Sequence, residues 1–226
     1  MNFAIILAGG SGSRAGMDIP KQYIKNEAGK SPIEYTIDSI YASDTTDVFV
    51  IAADPDRYDE IRKLFPQGCE HIFTLSGQTR QLSVCNALDA IYEKYGDAGH
   101  TVMIYDAARP YISADHIKSL YCSLKNADGV IPVLPMKDTV YECENGRING
   151  LLKRENIFAG QAPELFVFDK YLKANKALFP EKIYDIKGST EPAVLYGMNI
   201  VTVKGDERNI KITTAKDMEQ FMHYKG

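Results

Sequence analysis

The sequence predicts an α/β fold with a mainly parallel sheet and a protruding β-hairpin. Through the first two thirds of the chain, short runs rich in β-branched or aromatic residues alternate with amphipathic stretches, as in sheets whose strands are joined by crossover helices. The alternation ends after Pro135, where two short runs flank the turn Glu144-Asn145-Gly146 and favour a hairpin over a further crossover unit. These observations predict a single Rossmann-like domain, residues 1–226, with a hairpin arm.

The centre of the predicted sheet consists of five short apolar runs that are typical of strands buried on both faces. These strands are Phe3–Leu7, Val48–Ala52, Ile72–Leu75, Val102–Tyr105 and Val130–Leu134. Between them, apolar residues recur at three- and four-residue spacing, which predicts amphipathic helices that cover the sheet. These helices are Ile33–Tyr41, Pro55–Phe65, Arg80–Tyr95 and Ala114–Lys125.

The last third of the chain predicts an arm and three further elements. The runs Asp138–Cys143 and Arg147–Leu152 form the hairpin, which we expect to project as an arm at about residues 137–155. Its Leu, Ile, Val and Tyr side chains have little to pack on within one subunit, so we expect the arm to mediate a homodimer. The elements that follow are a helix at Phe166–Leu178, a strand at Asn199–Val203 and a terminal helix at Ala215–His223.

Composition and charge exclude several classes of protein. The 226 residues are 45% hydrophobic and 25% charged, with a formal net charge of −4, which is ordinary globular composition. No block of basic residues stands out, so we expect no nucleic-acid partner. The apolar run at the start lacks preceding basic residues and is cut short by glycines, so we expect no membrane association and a cytoplasmic enzyme. The scattered cysteines predict buried free thiols rather than a zinc site or disulfides: Cys69, Cys85, Cys122 and Cys143.

The strongest local signal is a glycine-rich loop over residues 7–16, directly after the first predicted strand. Glycines allow backbone N–H groups to approach phosphate oxygens closely. The loop is neither a P-loop nor a GxGxxG motif, because its closing residues and spacing differ from both. Arg14 lies within the loop and Lys21 follows it, so the pair favours a triphosphate. The alternative is a tight turn with two surface cations.

A second signal, Tyr105–Pro110, lies at the carboxyl end of another predicted buried strand. Asp106 could hold a magnesium ion or a substrate hydroxyl there, or it could cap the following turn. Central parallel strands end at the same edge of a sheet, where open α/β folds bind ligands. Proximity to the glycine loop therefore favours a functional role for Asp106.

Two further segments carry weaker signals. Ser76–Ser83 opens a predicted helix, where Gly77 and the hydroxyls could recognise a base or a phosphate, although Ser83 could equally be an ordinary first-turn residue. Lys211 lies between apolar residues, and the alternation by itself favours a solvent-facing side chain. The histidines show no pairing for a metal, and neither GxSxG nor a Cys-His arrangement occurs, which disfavours hydrolysis by an activated nucleophile.

Taken together, the motifs resemble those of the polyol-phosphate cytidylyltransferases over nearly the whole chain. The matching segments are LAGGSGSRAGMDIPKQY, SGQTRQLSVCNAL, YDAARP, PMKDT, KRENIFAGQAPELF and NIKITTAKDM. The resemblance implies transfer of CMP from CTP to ribitol 5-phosphate or 2-C-methyl-D-erythritol 4-phosphate, with release of pyrophosphate and formation of a CDP-polyol. It also implies Mg²⁺ or another divalent cation, a homodimer, and a place in isoprenoid, teichoic acid or capsule biosynthesis.

The resemblance implies a role for each candidate site residue. The catalytic residues would be Arg14, Lys21 and Lys211. The CTP-binding residues would be Ala8, Gly9, Gly10, Gly12, Gly77, Ser83, Ala107 and Arg109. The acceptor-binding residues would be Asp106, Thr139, Arg154 and Lys211, with Asp106 also a candidate metal ligand and Arg154 reaching the partner's site.

The sequence departs from the family pattern at several positions. Tyr105 replaces a usual histidine, Gln78 an acidic residue and Glu164 a glutamine, while Lys187–Pro192 lacks a common Thr-Asp pair. The acceptor therefore stays open between the two polyol phosphates. The alternatives are an enzyme of the same fold that uses another base or sugar phosphate, a non-catalytic nucleotide-binding module, and a nicotinamide dehydrogenase.

Overall fold

A computed structural model of the chain describes residues 1–10 and 19–225. An eight-stranded sheet lies at its centre, and a separate two-stranded sheet forms the arm. The strands in chain order are β1 (Asn2–Leu7), β2 (Val48–Ala53), β3 (His71–Leu75), β4 (Thr101–Asp106), β5 (Gly129–Pro135), β6 (Val140–Glu144), β7 (Arg147–Leu152), β8 (Phe158–Gly160), β9 (Glu164–Val167) and β10 (Ile200–Lys204).

The order of strands in the main sheet is β10-β5-β9-β4-β1-β2-β3, with β8 paired to β5. Neighbours β1, β2, β3 and β4 pair in parallel, as do β5 and β10, whereas β8 and β9 run antiparallel to their partners. The chain builds outward from β1 through β2 to β3 and then returns to place β4 on the other side of β1. This reversal creates a crevice at the carboxyl ends of β1 and β4, the position where open α/β sheets bind ligands.

Helices cover both faces of the main sheet. They are α1 (Pro32–Ala42), α2 (Tyr58–Arg62), α3 (Arg80–Tyr95), α4 (Ala114–Leu124), α5 (Phe168–Lys176), α6 (Thr190–Leu195) and α7 (Ala215–Met222). Ile37 of α1 and Ile117 of α4 belong to the core cluster on one face, and Leu88 of α3 and Tyr171 of α5 to the cluster on the other. No helix in the described ranges is long and apolar enough to cross a membrane.

The predicted α/β class, the mainly parallel sheet and the hairpin are all confirmed, and most strand positions agree within one or two residues. The helix predicted at Phe166–Leu178 is wrong at its start, because Phe166 and Val167 end strand β9 and α5 begins at Phe168. The helix predicted at Pro55–Phe65 is shorter: a 3-10 turn at Pro55–Arg57 precedes α2, which ends at Arg62. Strands β8 and β9 and helix α6 were not predicted.

The arm is the antiparallel pair β6–β7. Its turn places Asn145 and Gly146 at φ angles of 49° and 75°, the left-handed conformation that two-residue hairpin turns require. Ile148 and Leu151 are 65% and 69% exposed, and Tyr141 is 50% exposed. The arm therefore presents apolar side chains that the single chain leaves in contact with water.

Candidate active site

The loops after β1 and β4 lie side by side at the carboxyl edge of the sheet. The Ala8 amide donates a hydrogen bond to the Ala52 carbonyl over 2.8 Å, and the Ala107 amide donates to the Leu7 carbonyl over 3.1 Å. Both loops thus continue the ladder of their strands by one residue before they turn away. The two predicted CTP-binding segments, at Ala8 and at Ala107, are brought together at the crevice.

Gln22 fastens the start of the glycine loop. Its buried side-chain amide donates to the carbonyls of Ala8 and Gly10 over 2.7 and 2.8 Å, and the Tyr23 hydroxyl donates to the Ala8 carbonyl over 2.9 Å. Two backbone carbonyls of the loop are therefore held by side chains that follow it in sequence. Sequence reasoning assigned no role to Gln22, although it adjoins the predicted Lys21.

The predicted residues Gly12 and Arg14 lie outside the described residues. Lys21 opens the 3-10 turn Lys21–Tyr23, so its backbone directly precedes the Gln22 anchor. Lys21 is accordingly held next to the described part of the glycine loop, Ala8–Gly10.

The segment after β3 contacts the glycine loop. A Cβ atom placed on Gly9 would lie 2.1 Å from the Cβ of Ser76, so only glycine permits this approach. The Gly77 amide donates to the Ser83 hydroxyl over 2.9 Å, and that hydroxyl donates to the Thr79 carbonyl over 3.2 Å. Ser83 thus closes the turn that begins α3, and its role in base recognition stays a prediction.

Gly9→Ala and Gly10→Ala should differ sharply in their effect on stability. A methyl group on Gly9 would overlap Ser76, whereas no atom lies within 4 Å of the position that a Cβ on Gly10 would take. We expect Gly9→Ala to lower the free energy of unfolding by about 2–3 kcal/mol, and Gly10→Ala to change it by less than about 1 kcal/mol. Urea denaturation of both variants measures this, and equal losses would contradict the close approach of the two loops.

Asp106 is the centre of a buried ionic cluster at the end of β4. Its Oδ1 lies 3.1 Å from Nε of Arg80, and its Oδ2 lies 3.3 Å from Nε of Arg109 and 3.0 Å from Nζ of Lys211. Burial by itself raises the pKa of Asp106, but the charges of Arg80, Lys211 and Arg109 outweigh it and hold the pKa well below its usual value. Asp106 is therefore a carboxylate at any ordinary pH.

Lys211 faces this cluster, although the alternation of its neighbours favoured solvent. The Ile212 amide donates to the Ala108 carbonyl over 2.9 Å, and an Nη of Arg109 donates to the Asn209 carbonyl over 2.8 Å. These bonds fasten the segment before α7 onto the loop after β4, which carries Lys211 to Asp106. Thr214 accepts from the Asp217 amide and caps α7.

The contacts of Asp106 fit an anchor for cationic side chains better than a metal ligand. Both carboxylate oxygens already face positively charged nitrogens, which would repel a dication. Among the residues that the structure describes, no group of three or more His, Cys, Asp or Glu side chains could hold a metal ion.

Arg80 connects the cluster to two elements that sequence reasoning did not place. Besides Asp106, its guanidinium donates to the Ser189 hydroxyl just before α6 and lies 3.8 Å from Oε2 of Glu164 on β9. The sequence indicates Arg80 only as the first residue of the predicted third helix. It indicates Glu164 only as a departure from a family pattern. The link between them depends on β9, which the sequence did not predict.

Thr139 and Arg154 lie away from this cluster, at the base of the arm. Both are exposed, and an Nη of Arg154 donates to the Lys137 carbonyl over 2.7 Å. Within the described part of a single chain, Arg154 thus braces the arm. Its contact with the acceptor phosphate stays a prediction.

Known proteins of one enzyme family are similar to this chain over nearly its whole length. A family model described as 2-C-methyl-D-erythritol 4-phosphate cytidylyltransferase (IspD) matches residues 2–224. The protein of that name from Cereibacter sphaeroides is 32% identical over 217 residues, which cover 95% of this chain and 92% of that protein. The bifunctional enzyme IspD/IspF of Bartonella bacilliformis is 30% identical over 226 residues. There the match covers 98% of this chain but 56% of the relative, so the chain spans about half the length of such bifunctional relatives.

Solved structures of proteins with the same name as these relatives share the fold of this chain. The crystal structure of the Francisella tularensis 2-C-methyl-D-erythritol 4-phosphate cytidylyltransferase superposes with a TM-score of 0.81 at 29% identity. The superposition covers 97% of each chain.

Proposed function

Because this chain belongs to the 2-C-methyl-D-erythritol 4-phosphate cytidylyltransferase family, we propose that it transfers CMP from CTP to 2-C-methyl-D-erythritol 4-phosphate. The observation that carries the proposal is the convergence of Arg80, Arg109 and Lys211 on Asp106, beside the glycine loop in the crevice of the sheet. Such a cluster suits two substrates that both carry phosphate groups. Of the two acceptors that the sequence left open, the family favours the methylerythritol phosphate over ribitol 5-phosphate.

In the proposed reaction, a phosphate oxygen of the acceptor attacks the α-phosphorus of CTP. A new P–O bond forms as the bond from the α-phosphorus to the bridging oxygen breaks, and that electron pair leaves with pyrophosphate. The acceptor phosphate is already ionised at neutral pH, so the step requires no side-chain base. It requires in-line positioning and positive charge near the crowded phosphates.

The chain's own residues would divide these tasks. Arg14 of the glycine loop and Lys21, which follows it, would face the triphosphate, while Gly77 and Ser83 would lie on the side of the base. Lys211, with its side chain 35% exposed, is held by Asp106 where an incoming phosphate could displace water from its ammonium group. A divalent cation bound to CTP would supply further charge neutralisation on the triphosphate.

We also propose a homodimer in which Thr139 and Arg154 serve the partner's site. The exposed apolar side chains of the arm support this proposal, because a second copy of the chain would remove them from water. Thr139 and Arg154 lie at the base of that arm, so docking of the arm would carry them toward another subunit.

Arg154→Ala should raise the KM for the acceptor about tenfold and leave the KM for CTP nearly unchanged, because a uniform binding contact acts on KM rather than on turnover. Steady-state kinetics measure both constants, and light scattering measures the oligomeric state in parallel. A dimeric variant with an unchanged acceptor KM would contradict the placement of the acceptor phosphate. A variant that dissociates and affects both substrates would show that Arg154 only braces the arm. Arg147→Ala, at the exposed far end of the arm, is the matched control.

The proposed activity is tested by pyrophosphate release with magnesium and a panel of nucleotides and acceptors. We expect release with CTP and 2-C-methyl-D-erythritol 4-phosphate, and little with UTP, ATP or GTP. Equal release with UTP would overturn the base assignment, and preference for ribitol 5-phosphate would overturn the acceptor. Binding of CTP without any release would identify a nucleotide-binding module instead of an enzyme.

A further inference from the structure

Glu164 carries a buried carboxyl group with an incompletely satisfied oxygen. The residue is 9% exposed, and its Oε2 makes no hydrogen bond within the described structure. The charged group facing that oxygen is the Arg80 guanidinium, with its Nη2 3.8 Å away. That distance permits attraction between the charges but exceeds a hydrogen bond. A buried carboxylate held in this way costs free energy, so its presence requires an explanation.

The ionisable groups near Glu164 come from α3, from the end of β4 and from α5. Arg80 approaches from α3, while Asp106 and Arg109 lie at the end of the neighbouring β4. The phenol of Tyr171 lies on α5, and burial raises its pKa well above its usual range, so it stays neutral. On the other side of β9, β5 pairs Gly129 with Phe166 and Val130 with Leu165, and neither of these β5 residues carries a charge.

The ionisation of Glu164 changes the charge of the whole cluster. Arg80, Arg109 and Lys211 oppose the two carboxylates of Asp106 and Glu164. With both carboxylates ionised, one net positive charge remains to face a substrate phosphate. With Glu164 protonated, two remain, and the guanidinium of Arg80 is shared only between Asp106 and Ser189.

We propose that Glu164 is a positioning residue that acts through Arg80 and sets how much positive charge the site offers to substrate phosphates. The proposal rests on the proposed function only for the identity of those phosphates. Glu164 itself is buried, so its effect on a bound phosphate would pass through Arg80. Its carboxylate draws Arg80 toward β9, whereas its neutral form leaves Arg80 to Asp106 and Ser189.

The switch between the two forms falls in the neutral range. Burial raises the pKa of Glu164 to about 7, with Arg80 opposing the rise and Asp106 adding to it. As the pH rises through 7, Glu164 ionises and the site loses one positive charge. Anionic substrates should therefore bind more weakly above pH 7 than they would to a chain in which this residue cannot ionise.

The first test measures the titration of Glu164 directly, in the free protein. Carbon-13 labelled glutamate carboxyls are followed by NMR from pH 4 to pH 9, and the signal absent from Glu164→Gln is assigned to Glu164. We expect a midpoint near pH 7, whereas ordinary glutamates titrate near about 4.3. If Glu164→Gln does not fold, a single carboxyl with that midpoint in the unaltered chain still supports the proposal. Titration of all glutamates below pH 5 would overturn it.

The second test measures binding, which is independent of turnover. Calorimetry gives the Kd for CTP with magnesium at pH 6 and pH 8, for the unaltered chain and for Glu164→Gln. At a given pH, CTP has the same ionisation state in the experiments on the two proteins. The ratio of their Kd values at that pH therefore reports the contribution of Glu164. We expect a ratio near one at pH 6, and tighter binding by Glu164→Gln of about threefold to tenfold at pH 8.

The control is Glu70→Gln, which alters an exposed glutamate just before β3 that pairs with Lys94, in the last turn of α3 and thus at the opposite end of that helix from Arg80. It should leave the ratio at one at both pH values. A Glu164→Gln ratio that is the same at pH 6 and pH 8 would show a merely structural role and overturn the proposal. If CTP bound at neither pH, the proposed function would be refuted. The NMR titration would still test whether Glu164 ionises near pH 7.

Discussion

Asp106→Asn is expected to lower both stability and turnover, because it removes the anion on which three cationic side chains converge. Asparagine keeps the shape of the side chain but leaves Arg80, Arg109 and Lys211 without their shared counter-charge. Loss of one partner from a buried ionic cluster costs about 3 kcal/mol. Release of Lys211 should also lower turnover by about 10²-fold, since its ammonium group would no longer be held in position for the transition state.

The stability loss should depend on pH in a defined direction. The pKa of Asp106 is lower in the folded chain than in the unfolded chain, so its carboxylate stabilises the fold above a pH of about 4. The difference between the two proteins should therefore be constant from pH 7 to pH 5 and shrink as the pH falls below about 4. Urea denaturation across this range measures it.

Asp38→Asn provides the control for this experiment. Asp38 pairs with Lys30 over 2.7 Å, but both side chains are about half exposed. Its replacement should cost less than about 1 kcal/mol and leave turnover unchanged. A similar loss for both variants would mean that the cluster around Asp106 has no special role.

Lys21→Ala is expected to lower turnover by about 10²–10³-fold, with a smaller effect on the acceptor KM. Lys21 directly precedes Gln22, whose side chain holds the carbonyls of Ala8 and Gly10. The backbone that carries Lys21 is thus anchored to the glycine loop, close to where we expect the triphosphate to bind. Positive charge there is needed most as negative charge accumulates on the attacked α-phosphate.

Lys25→Ala is the matched control, since Lys25 lies in the same segment but is exposed. Turnover and both KM values are measured for the two variants. Retention of full turnover in Lys21→Ala would contradict a catalytic role. An increase in the acceptor KM alone would move Lys21 from the triphosphate to the acceptor.

The sequence alone determined the parallel strands, the hairpin and the location of the crevice. These features depend on local properties of the chain, namely the apolarity of each short run and the backbone angles of one turn. An apolar run such as Val48–Ala53 is buried on both faces wherever it lies in such a sheet. The Asn145-Gly146 turn selects a hairpin through its own backbone angles. Family resemblance then added the candidate residues, although Gly12 and Arg14 stay predictions because they lie outside the described residues.

Only the tertiary structure decided the placement of β9 and the cluster beneath the crevice. Strand β9 has four residues, and its identity depends on pairing with β4 and β5, which lie far away in sequence. A run that short, containing Glu164 and followed at once by a helix, has no periodicity of its own. Arg80, Asp106 and Lys211 come from three separate elements, and only the packing of those elements brings their charges within about 3 Å. Local sequence patterns predict which residues are buried, whereas the packing of elements distant in sequence determines which side chains pair with a buried charge.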